Sequence, residues 1–281
     1  MITYSGEKTE KNVLLRAEMD ALPIQERNTF DYRSRNDGIA HMCGHDGHMT
    51  MLAGIGDWCS KYKMEQTSVH LLFQPAEETG QGAKAILSNP DFDIDPDYAF
   101  AIHNIPGYDK NLILLKENYF SAHVISLVID LTGRTSHAAE PEQGINPALA
   151  VSEIIQVFDK FNNNDKTKDD FFIITPVFLN LGKEAFGTSA GDASLGFTLR
   201  CWSIEHMKEM QQTIKSLLEG VANLHQLDLK YYWTEEFYPN HNDTEEIKMI
   251  SGLIDKMDCK VEYLTNPFKW GEDFGFFTSH Y

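Results

Sequence analysis

Four cysteines in 281 residues, Cys43, Cys59, Cys201 and Cys259, are too few and too widely spaced for a disulfide framework. No C-x-x-C pair occurs, which fits a reducing compartment. Met1–Gly6 lacks the basic flank and apolar run of a secretory leader, so a cytoplasmic location is expected. No run of ~18 apolar residues occurs, and no membrane span is expected. Cations are scarce: Lys+Arg number 24 against 42 Asp+Glu, a formal net charge of −18. Such a balance repels nucleic acid and anionic membrane, and both are set aside as partners. Internal repeats are absent, and the single low-complexity stretch, Asn162–Asp170, reads as a charged surface loop.

What is present is an ordinary globular composition, 42% hydrophobic and 23% charged, on a length that suggests about two domains. The densest chemistry is His41-Met42-Cys43-Gly44-His45-Asp46-Gly47-His48. Thiolate and imidazole together are the donor set a zinc-like ion prefers. From Asp46, a candidate N-cap, apolar residues recur at helical spacing to about Tyr62. Cys43 and His45 then precede the positive end of a helix dipole, which favours thiolate.

Three apolar strands surround this cluster in the sequence. Val13–Ala17 ends at Glu18 and Asp20, Ser68–Gln74 leads to Glu77-Glu78, and Tyr98–Ile102 ends at His103. Alternation within Glu77-Glu78 points the two carboxylates in different directions, one to a metal and one to a substrate. Parallel strands bring their carboxyl ends side by side, so three such ends in order mark one site.

The pattern changes near Tyr119. Strands at Val124–Leu131, Phe171–Leu179, Ser194–Trp202 and Leu227–Trp233 alternate with helices at Asn146–Phe161 and Glu205–Leu224. This is the strand–helix–strand–strand–helix–strand order of a ferredoxin-like domain. The expected division is a catalytic domain of residues 1–119 and 236–281 and an inserted domain of residues 120–235. Thr244–Asp258 reads as an amphipathic helix after the insertion.

In order, the motifs RAEMDALP, HMCGHDGH, LFQPAEETGQGA, AIHN, GRTSHAAEP and GEDF resemble the amidohydrolase branch of the aminoacylase/carboxypeptidase-type dinuclear metallopeptidases. That branch includes hippurate hydrolases, N-acetyl-diaminopimelate deacetylases and hydrolases of indole-acetyl amino acids. The resemblance covers nearly the whole chain. It implies an α/β catalytic domain with a mixed, mostly parallel sheet, and an inserted α+β domain that serves as dimerisation and lid domain. It implies two divalent metal ions, zinc first, with manganese, cobalt or nickel as alternatives. The implied ligands are Cys43, His45, Glu78 and His103, with Glu77 as general base. His137 would reach the other subunit's active site and steady an oxyanion, and Arg200 would contact the substrate carboxylate. Asp20, with Glu18, would orient ligands from behind, while His41 and His48 are structural.

The implied activity is metal-dependent cleavage of the amide bond of an N-acyl amino acid by a homodimer. A dipeptidase and a catalytically impaired binding module are the alternatives. The chain is short at both ends relative to that family, whose last metal-binding histidine lies beyond GEDF; His280 is not assigned that role. The family's Asn-x-Ile-Pro element is replaced by Phe186–Asp192, with Gly187 in place of the asparagine.

Overall fold

The computed structural model describes residues 1–257 and 259–281. In chain order the first elements are β1 (Ile2–Tyr4), β2 (Lys11–Glu18), α1 (His45–Lys61), β3 (Thr67–Gln74), α2 (Gly82–Leu87), β4 (Tyr98–Ala101) and β5 (Leu112–Leu115). The first four strands build one sheet of order β1-β3-β2-β4. β2 runs parallel to both β3 and β4, and β1 joins antiparallel to β3. β1 is a three-residue strand that the hydrophobic pattern does not announce.

The central strand β2 is lined on both faces. Ala17 packs with Val69 and Leu71 of β3 and with Leu52 and Cys59 of α1. The apolar run that predicts a strand thus predicts its burial, as expected for parallel strands. Arg16, inside that run, is only 2% exposed.

The next elements are β6 (His123–Thr132), α3 (Ala148–Asp159), β7 (Phe172–Leu181), β8 (Asp192–Cys201), α4 (Ile204–Leu224) and β9 (Asp228–Phe237). They form an antiparallel sheet of order β9-β6-β8-β7. Numbered within the unit, that order is 4-1-3-2. Ile154 and Phe158 of α3, with Met207, Ile214 and Leu218 of α4, share one core with Leu127, Ile129, Leu195, Phe197 and Leu199 of the strands. Ser203 caps α4 by accepting from the His206 N–H at 3.1 Å. β7 is an edge strand whose second half is open: Val177, Phe178, Leu179 and Leu181 are all exposed.

The chain closes with α5 (Thr244–Ile254), β10 (Lys260–Tyr263), which pairs parallel with β5, and α6 (Gly275–His280). α5 ends four residues before the expected Asp258, which itself lies outside the described residues.

The chain divides into two compact units: Met1–Asn118, Asn240–Leu264 and Glu272–Tyr281 in one, Tyr119–Pro239 and Thr265–Gly271 in the other. Residues 265–271, grouped by sequence with the catalytic part, thus join the second unit. The reason is local pairing: Ala122 N–H donates to Trp270 O at 3.1 Å and Phe268 N–H to Phe120 O at 2.8 Å.

Candidate metal centre

The parallel register sets Glu18 opposite Gln74, and Arg16 opposite Ala101. The segments that follow these strands therefore leave the sheet at one edge of the first unit. α1 begins at that same edge, with His45 as its first residue. Asp46 is not the N-cap. Gly44 is, in the left-handed conformation with φ 92°, and no side chain caps the helix. A Cβ on Gly44 would meet the Asn104 side chain at 2.6 Å. Gly44→Ala is expected to cost at least the ~1–2 kcal/mol of a left-handed L-residue, with added cost from displacing Asn104. A wild-type melting temperature for the variant would refute this.

His45 is fully buried. Its Nδ1 donates to the Asp20 carbonyl oxygen at 3.0 Å, and Asp20 Oδ1 lies 3.5 Å away. Burial holds its pKa below the usual imidazole value. The neutral ring then presents its Nε2 lone pair to Glu77 Oε2 and Glu78 Oε1, each at 3.9 Å. The two carboxylates therefore converge on one ring instead of diverging. They sit in a turn, with Ala76 at φ 57° and Gly80 N–H bonded to Glu77 O at 2.7 Å, so strand alternation does not apply. Asp20 Oδ2 fixes this turn by accepting the Glu78 N–H at 3.0 Å.

His103 Nδ1 donates to Asn104 O at 2.7 Å, which leaves Nε2 facing Cys43 Sγ at 3.4 Å. Burial, with Glu78 and Glu77 nearby, pushes the Cys43 thiol up to about 12. Burial and acidic neighbours thus act against the thiolate that the helix N-terminus is expected to favour. His48 has both nitrogens engaged, Nδ1 with Glu18 Oε2 at 2.9 Å and Nε2 with the Asn104 N–H at 3.0 Å.

A cation fits this donor set. Cys43, His45 and His103 offer donor atoms within 4.8 Å of one another, and so do His45, Glu77 and Glu78. His45 Nε2 and Glu78 Oε1 are buried with no hydrogen-bond partner. Such atoms are costly unless something compensates them. Burial, then Glu272 and Asp273, push the Glu77 carboxyl up to about 10. The cluster resists its own negative charge, which a divalent ion would offset.

Sequence reading missed the group behind this cluster. Arg16 donates through Nε to Gln74 Oε1 at 2.9 Å, and through its two other nitrogens to Glu18 and Asp273. Its Nη1 also lies 3.0 Å from Glu272 Oε1. Gln74 Nε2 donates to both Asp273 oxygens at 2.8 Å, and Asp273 Oδ2 accepts the Ala83 N–H at 2.9 Å. A charged residue inside an apolar run was the signal available.

His137 and Arg200 belong to the second unit. His137 is exposed, and its Nδ1 accepts the Ala139 N–H at 3.1 Å, so a neutral ring carries its proton on Nε2. Ala138 N–H donates to Gly187 O at 3.0 Å, which ties this loop to the segment where the asparagine is replaced. Arg200 is half-buried at the end of β8, and its Nη1 donates to Lys269 O at 2.5 Å.

Residues 14–281 match the profile of peptidase family M20/M25/M40. The chain belongs to that family. Among its M20-family relatives, the hippurate hydrolase of Campylobacter jejuni is 30% identical over 276 residues, covering 96% of this chain and 70% of that protein. An uncharacterised hydrolase of Staphylococcus aureus is 30% identical over 284 residues, covering 99% of this chain and 73% of that one. In structure, the chain is similar to the YXEP protein of Bacillus subtilis, a dinuclear metal-binding peptidase of the M20 family. The TM-score is 0.80 at 23% identity, over 99% of this chain and 72% of the other. The M20 assignment brings a mixed α/β fold and hydrolase chemistry with it. Among the described residues, no helix is long and apolar enough to cross a membrane.

Proposed function

We propose that this chain is a metal-dependent amidohydrolase that cleaves the amide bond of N-acyl amino acids. The observation that carries the reading is the convergence of Cys43, His45, Glu77, Glu78 and His103, with His45 Nε2 and Glu78 Oε1 buried and unpaired. Cys43, His45, Glu78 and His103 would hold two divalent ions. The thiolate and imidazole donors favour zinc, and the carboxylates also admit manganese, cobalt or nickel. The chemistry such ions supply when bound is Lewis acidity, which acidifies water and polarises a carbonyl.

The remaining steps belong to the chain. Glu77, 5% exposed, sits where it can take a proton from the attacking water and return it to the leaving amine. Asp20 holds both the Glu78 turn and the His45 ring in place. His137 is assigned as oxyanion donor through Nε2–H, supported by the hydrogen bond that fixes its tautomer. Arg200 is assigned to the substrate carboxylate. The partner is a second copy of this chain, and the open half of β7, with four exposed apolar residues, supports a homodimer through the second unit. The N-acyl amino acid substrate class follows the hippurate hydrolase relative.

Elemental analysis of the purified protein, paired with amine release from N-acetyl and N-benzoyl amino acids, tests the reading. Two ions per chain and metal-dependent turnover are expected. Two bound ions without turnover on any acylated amino acid would overturn it.

A further inference from the structure

Four acidic side chains border the centre without a metal role in the reading above: Glu18, Asp20, Glu272 and Asp273. Two of them, Glu18 and Asp273, have both oxygens taken by their own partners, and Asp20 faces away from the donor groups. Glu18 spends Oε1 on Arg16 and Oε2 on His48. Asp273 accepts from Arg16 and Gln74 at Oδ1, and from Gln74 and Ala83 at Oδ2. Asp20 gives Oδ2 to the Glu78 N–H and keeps Oδ1 buried without a partner, but that oxygen lies 3.5 Å from His45 Nδ1, on the side away from the lone pair, and Asp20 joins none of the donor groups among the described residues.

Glu272 differs. Its Oε1 takes Arg16 Nη1 and the Phe274 N–H, each at 3.0 Å. Its Oε2 has no hydrogen-bond partner among the described residues. The carboxylate shares one donor group with His103 and Glu18, and another with Glu77 and Asp273, all within 4.8 Å. Of the carboxylates grouped with His103, Glu18 has both oxygens taken, which leaves Glu272 as the one with an oxygen that accepts no hydrogen bond. One oxygen pinned by a guanidinium and a backbone N–H, the other free, is how a metal-binding carboxylate is usually supported.

We propose that Glu272 is a further metal ligand, binding a divalent ion through Oε2 on the Cys43–His103 side of the centre. This rests on the metallohydrolase reading above.

Zinc titration of the full chain, in competition with a chromophoric chelator, separates the possibilities. The wild type should bind two ions. Glu272→Gln keeps an acceptor for Arg16 and Phe274, so it should lose one ion's affinity by more than ~100-fold and leave the other unchanged. A loss below ~100-fold, the range of residues that only brace a ligand, would overturn the assignment while the metallohydrolase reading stands. A wild type that binds no zinc would sink the metallohydrolase reading itself. A crystal structure of the zinc-loaded wild type needs no variant. Glu272 Oε2 at ~2.0–2.2 Å from an ion supports the assignment, and a separation beyond ~3 Å overturns it.

Discussion

Glu77→Gln is expected to lower kcat by ~10²–10⁴-fold while both metal ions stay bound. The amide has nearly the carboxylate's shape and still accepts the Asp273 N–H, which meets Glu77 Oε1 at 3.4 Å. What it cannot do is hold a proton between water and the leaving nitrogen. Glu77 is buried, 3.9 Å from the unpaired His45 Nε2, and Glu78, at the same distance, is assigned to the metal. Steady-state kinetics on an N-acyl amino acid, with zinc counted in the same sample, gives the comparison. Wild-type turnover by the variant would move the base elsewhere and would favour a centre that binds without hydrolysing.

Arg16→Leu should destabilise the first unit by ~3–5 kcal/mol, the cost of removing one partner from a buried ionic group. Burial by itself would lower the Arg16 pKa, yet Glu272, Glu18 and Asp273 together hold it above its ordinary value. Without the guanidinium, three carboxylates and Gln74 lose a shared donor in a site where Arg16, Glu18 and Asp273 are fully buried. Lysine restores charge but not the planar fork, so Arg16→Lys should fall between the two. Urea unfolding followed by circular dichroism measures this, and an unchanged midpoint in Arg16→Leu would mean the network contributes nothing to stability.

The parts of the fold written in short-range pattern were legible. β2 and β3 read as apolar runs because an inner parallel strand is covered on both faces, and β4, half-buried at the sheet edge, reads from its apolar composition. The six elements of the second unit read from their alternating and helical periods. The site was legible where its residues follow strand ends, as Glu77, Glu78 and His103 do. Three things depended on geometry that no window of sequence contains. Gly44 caps α1 because Asn104, sixty residues later, occupies the space where its Cβ would lie. Glu77 and Glu78 converge because Ala76 turns the chain with positive φ. Arg16 is buried because its acidic partners come from Glu18, two residues on, and from Glu272 and Asp273, the latter 257 residues on. A lone arginine in a strand does not announce carboxylates that far away.

The span between Arg16 and Asp273 is 257 residues. At the ~5–20 residues per second of protein synthesis, Asp273 is made ~13–50 s after Arg16. During that interval the nascent chain carries a guanidinium that cannot enter an apolar interior without its partners. β2 and β3 can align, but the face bearing Arg16 must stay wet. The antiparallel βαββαβ segment, Tyr119–Pro239, emerges within that window and can close on its own core. The sheet of the first unit is therefore the part that a ribosome-associated chaperone would meet unfinished, because one of its charge partners is made 257 residues after Arg16.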